Sequence, residues 1–343
     1  MKTAFSSLLA LAFLPLTALA ANTPSAVGQT VIPIPGGTHG ISFDDIGYVP
    51  ALHRVTIPAG ATGNLVLIDP ANGKLTVIKG VSATPSGHPR HREGTTSSTY
   101  AEGYLFATDH DPAEVVTINP RSGAIIGRTP LASDADYVRY VARTHEIWVT
   151  EPDKQQIQVF QLAHKPHPVL TPKTTIHIAD GPESLEIDNH RNRAYANLWQ
   201  GKTVVMALTT HKVLAEWPNT CKRSHGIAID AAHDHVFVGC GDGKVVTLDA
   251  ADHGKLLASA AAGAGIDAIS YSPKLHHLYV PGARAATLTI FDVSPTGALK
   301  SVATRQTAAH AHCVTNDNAG HVFVCDPRHG AILDINDQAS TRH

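Results

Sequence analysis

SHGIAIDAAHDHVFVGCGDGKVVTLDAADHGKLL, residues 224–257, is the stretch on which the reading of the chain turns. Residues 226–230 alternate apolar and polar side chains and predict a short strand. Residues 231–234 turn it. Residues 235–239 alternate again, with Val236 and Val238 facing away from Phe237. Gly241, Asp242 and Gly243 supply a tight turn, 244–249 forms a third strand, 250–254 turns, and 255–258 begins a fourth. Strands of about five residues separated by Gly, Asp and His turns are the hairpin signature.

The same four-strand pattern recurs on both sides. Its third strands read NLVLID (64–69), EVVTIN (114–119), QIQVFQL (156–162), TVVMAL (203–208), TLTIFDV (287–293) and AILDIN (331–336). Its second strands include YLFAT (104–108), EIWVT (146–150), RAYAN (193–197), HLYVP (277–281) and HVFVC (321–325). Seven repeats of roughly 42–54 residues predict an all-β, seven-bladed β-propeller with four antiparallel strands per blade. The last repeat has three strands of its own, and the isolated strand QTVIPIP (29–35) is expected to add the missing outer one, closing the ring. Trp148, Tyr195, Phe237, Tyr279 and Phe323 recur at one second-strand position and read as core between blades.

The first 20 residues read as a secretory signal peptide. Lys2 precedes an apolar run at 8–16 and an Ala18-Leu19-Ala20 cleavage signal, leaving 21–343 as one propeller domain. A periplasmic or secreted location follows, and no stretch is long enough for a membrane span. A net charge of -2 argues against a nucleic-acid surface, and a monomer is expected. The four cysteines predict local bridges Cys221–Cys240 and Cys313–Cys325, because the repeat sets each pair close together. Two other pairings remain open, as does a cysteine-ligated metal site.

FVGCGDGKVVTLDAADHGKLL (237–257) and LYVPGARAATLTIFDVSPTGAL (278–299) resemble the YVTN-type repeat of secreted YncE-like seven-bladed propellers. The resemblance spans the mature chain, although no blade spells YVTN. It implies the fold, and it permits a non-catalytic module that binds a peptide, a partner protein or a metal.

Chemistry is sought at the start of each blade's first strand, which lines the central channel. Counting back about ten residues from the second strand gives Glu93, Asp136, Glu183, His225 and Asp267 in repeats 2 to 6. Adjusted turns give His39 in repeat 1 and His312 in repeat 7. Carboxylates and imidazoles gathered at one channel mouth need a counter-charge. His with Asp or Glu suits a divalent Zn, Cu, Mn, Fe or Ni ion. The expected ligands are His39, His225, His312, Glu183 and Asp267. Glu93, Asp136, His310, His88 and His91 are expected to support them or touch substrate. Solvated channel groups without a ligand are the competing reading.

Asp109, His110 and Asp111 fall on a loop of the same face. His276, His277, His233 and His235 read as surface on the opposite face. A small molecule or peptide is expected at the channel mouth, and metal-dependent hydrolysis or lyase chemistry is the enzymatic expectation. Neither a Ser/His/Asp triad motif nor a nucleotide-binding glycine loop is present, and no aromatic cofactor motif recurs to support a quinone dehydrogenase.

Overall fold

A computed structural model of the chain describes residues 28–83, 94–163 and 167–337. The expected signal peptide, and His88, His91 and Glu93, lie outside the described residues. Seven four-stranded antiparallel sheets form a ring, with one short 3-10 turn at Pro152–Lys154. Blade 5 runs Ser224–Asp230, His235–Cys240, Lys244–Asp249 and Lys255–Ala261, from the channel outward.

Blade 7 consists of Val314–Asn316, His321–Asp326 and Ala331–Asn336, with Gln29–Pro33 as its outer strand. Gln29 pairs with Ile335 and Pro33 with Ala331, so the two ends of the described chain share one sheet. The closing strand alternates as a half-covered edge should. Ile32 is 7% exposed and packs into the core between blades 7 and 1, while Val31 is 51% exposed.

The core is a set of interblade layers. Phe106, Trp148, Tyr195, Phe237, Tyr279 and Phe323 are all buried at one second-strand position. Trp148 donates its indole N–H to Glu146 at 2.9 Å. Glu146 is fully buried, and it also receives Lys173 Nζ at 2.6 Å and meets His211 Nε2 of blade 4 at 3.0 Å. Burial pushes its carboxyl up, but those hydrogen bonds hold it below the usual range overall.

Both disulfides have the local pairing, Cys221–Cys240 and Cys313–Cys325. Two bridges point to an oxidising, exported environment. Among the described residues no helix is long and apolar enough to cross a membrane. One sequence reading is corrected: His235 is only 3% exposed, because its ring packs against Phe237 and His233 rather than facing water.

Candidate functional site

The pairing of first and second strands fixes which residue each blade presents at the channel mouth. Arg139 pairs with Trp148, Glu186 with Tyr195, Ala228 with Phe237, Ser270 with Tyr279 and Thr315 with Phe323. Three residues before each lie Asp136, Glu183, His225, Asp267 and His312, as the repeat spacing indicates. In blade 1 the matching pair is Gly47 and Thr56, and in blade 2 it is Thr99 and Phe106. The mouth positions there are Asp44 and Thr96.

His39 is therefore displaced from the ring. It is exposed on the connection whose Ile41 N–H donates to Pro327 O of blade 7 at 2.8 Å. The error has a plain cause. Blade 1 carries Thr56 where the other six blades carry an aromatic, so its register had no marker in the sequence. Blade 2 shifts because its first turn joins Ala101 to Tyr104 through only two residues.

Three ring residues converge. Ligand atoms of Glu183, His225 and Asp267 lie within 4.8 Å of one another. His225 Nδ1 sits 2.8 Å from Glu183 Oε1 and 3.6 Å from Asp267 Oδ1. Backbone packing makes this approach possible. A Cβ on Gly226 would fall 2.1 Å from Asp267 O and 2.8 Å from Ile269 N, so only glycine allows blades 5 and 6 to close up here. From the other side, blade 4 grips the same segment. Ser184 Oγ donates to His225 O at 2.8 Å, and Asn197 Nδ2 donates to His225 O at 2.9 Å and Gly226 O at 3.0 Å.

Asp44 and Asp136 extend the cluster. Both are pushed well above the usual carboxylate range. Burial is the main cause, and each carboxylate adds repulsion to its neighbours. Glu183 is also raised, chiefly by burial, although His225 and the Trp199 indole favour its ionised form. Burial lowers the His225 imidazole, yet the Glu183 hydrogen bond and Asp267 raise it overall.

His312 stands apart chemically. Its Nδ1 is 2.7 Å from His310 O and its Nε2 is 2.7 Å from Phe43 O, so backbone carbonyls occupy both nitrogens. The grouping of His312 with Cys313 and Cys325 offers no thiolate, because those cysteines are bridged. His310 is exposed at the rim with φ of 68°. Asp109 is buried and accepts Ser82 N–H at 2.8 Å. Asp109 thus braces a loop.

Below the mouth, a cavity of about 350 Å³ follows the channel between the inner strands. Arg139 forms a two-pronged ion pair with Asp45 at 2.5 and 3.0 Å and lies over the Tyr137 ring. Glu186 stands 4.0 Å from Arg139. Burial pushes Glu186 up to about 7, with Arg139 pulling it down and Asp45 pushing it up. A folded value above the unfolded 4.5 stabilises the fold below that pH, and the contribution is lost as pH rises through 7. Glu186→Gln is therefore expected to flatten the fall in melting temperature between pH 5 and pH 8. An unchanged profile in thermal unfolding scans would contradict this assignment.

These features define a seven-bladed β-propeller with an acid–imidazole cluster at one mouth of its channel. No family model matches the chain, and no curated protein matches it. Solved structures do share the fold. The chain is similar to one in "Crystal Structure of Mitotic Checkpoint Complex", with 11% identity, a TM-score of 0.72 and 98% of each chain covered. It is also similar to "Structure of U3-55K", with 12% identity, a TM-score of 0.73, and 92% of this chain and 100% of that one covered. At such identities the likeness concerns the fold alone.

Proposed function

We propose that this protein is an exported, YncE-like propeller that binds a divalent transition metal at its channel mouth through Glu183, His225 and Asp267. The observation that carries this reading is the convergence of one imidazole and two carboxylates within 4.8 Å. Their chemistry fits the group, since mixed nitrogen and oxygen donors suit Zn, Mn, Fe, Ni or Cu. The half-buried acids Asp44 and Asp136 support it further, because a cation would offset the burial and mutual repulsion that disfavour their ionised forms. His39 and His312, expected as ligands from the sequence, are not part of this set.

Three protein ligands are the pattern of metal sites that keep a position open for water or substrate. A bound ion there would supply Lewis-acid activation of a carbonyl or of water. The chain's own contribution is positional. Ser184 and Asn197 hold the His225 backbone, and the Asp44 and Asp136 carboxyls, both raised, stand beside the mouth. Metal-dependent hydrolysis or lyase chemistry is the activity this arrangement favours.

Elemental analysis of protein purified without chelator tests the proposal. About one equivalent of a transition metal is expected, with a melting temperature that falls on chelation and recovers on adding the ion back. Less than about 0.2 equivalents, with no thermal shift on adding Zn²⁺, Mn²⁺, Cu²⁺, Ni²⁺ or Fe²⁺, would remove it.

A further inference from the structure

A second cavity of about 330 Å³ opens beside the cluster, between blades 5, 6 and 7. Its lining includes Arg223, Arg284, His225, His310, His312 and Asp267. Two guanidiniums on one small pocket are notable for what they lack. Among the described residues neither has a carboxylate within salt-bridge distance. Arg284 is not loose, however. Its Nη2 donates to Gly241 O at 2.8 Å, which ties its head to the turn that follows Cys240.

Glycines keep the pocket open. A Cβ on Gly241 would lie 3.1 Å from the His225 ring and 3.5 Å from Arg223 Cβ. A Cβ on Gly265 would lie 2.8 Å from Arg284 N and 3.1 Å from its Cγ. Bulk at either place would crowd the space between the arginines and His225. Arg223 and the His225 imidazole line the same pocket.

We infer that this pocket binds a small oxyanion-bearing ligand, with its carboxylate or phosphate group on Arg223 and Arg284 and its remainder directed toward His225. The planar, permanently charged guanidinium is suited to paired hydrogen bonds with such groups. A volume near the lower limit for ligand pockets selects a small molecule over a folded partner. The inference rests on the metal reading only for the choice of neighbour. If the ion binds as proposed, the oxyanion ligand lies beside it and is the substrate class of that site.

Isothermal titration calorimetry with malonate and with inorganic phosphate tests this, on chelator-treated protein and on Zn²⁺-loaded protein. Saturable binding of at least one probe to the chelator-treated wild type is expected, with Kd below about 1 mM. Malonamide, the neutral counterpart of malonate, should not bind. Arg223→Gln and Arg284→Gln should each weaken binding by about fivefold or more, and Arg223→Lys should recover part of the loss. Whether malonate or phosphate binds identifies the head group. Binding of neither probe, or equal binding to the wild type and both glutamine variants, overturns the inference. Both arginines are exposed, so folding should survive their exchange. Malonate binding that persists in a protein taking up no metal would sink the metal reading and leave this one standing.

Discussion

Exchanging His225 for alanine is expected to lower Zn²⁺ affinity by about 100-fold or more. Removing a direct ligand should cost at least as much as removing the outer partners of ligands, which typically cost 10- to 100-fold. The imidazole faces both carboxylates of the set through one nitrogen, 2.8 Å from Glu183 and 3.6 Å from Asp267. Without it, those acids stand beside the raised Asp44 and Asp136 carboxyls with no nitrogen donor between them. Competition titration with a chromophoric chelator reads the loss. His39→Ala is the matched control and should leave affinity within about twofold, since His39 is exposed away from the ring. Equal losses in the two variants would mean that the strand register assigned to blade 1 is wrong.

The same site predicts a direction for pH. Glu183, Asp44, Asp136 and His225 all hold protons more tightly than usual. A cation must displace some of them, so affinity should rise as pH rises and binding should release protons. Titrations in two buffers of different ionisation enthalpy would detect that release.

The second large effect concerns closure. A chain starting at residue 34, compared with one starting at residue 21, lacks the strand Gln29–Pro33 that completes blade 7. Its loss uncovers the edge of Ala331–Asn336 and removes Ile32 from the layer between blades 7 and 1. Burial of one isoleucine contributes about 1.5–3 kcal/mol, and each strand hydrogen bond adds about 1 kcal/mol. A loss on the order of 5 kcal/mol should lower the melting temperature by ~10 °C or more. The bare edge should also make the shortened protein aggregate on heating, seen by light scattering. Ile32→Asp should reproduce much of the instability by placing a carboxylate in that layer, whereas Val31→Asp on the exposed face should change little. Equal stability of the two chain lengths would show that blade 7 stands on three strands.

The contrast between His225 and His39 shows how far the sequence reads. Repetition determined the architecture, because alternation with period two and Gly/Asp turns are local properties that each blade states for itself. The closing strand was legible for the same reason, as an apolar segment left over when the repeats were counted. Where a blade carried its second-strand aromatic and a standard turn, the ring residue followed directly, as with Asp136, Glu183, His225 and Asp267. Blade 1 lacks the aromatic and blade 2 shortens the turn, so Asp44 and Thr96 emerged only from the strand pairing.

The tertiary structure alone decided which ring members meet. Seven positions around a channel are equivalent in sequence, but contact depends on how closely neighbouring blades approach. Gly226 lets blade 6 press against blade 5, which brings Asp267 within reach of His225. His312 lies one blade further on, and its nitrogens are taken by backbone carbonyls instead. Arg223 and Arg284 share a pocket although they stand 61 positions apart in the chain. Such pairings depend on interblade distance, which no local pattern encodes.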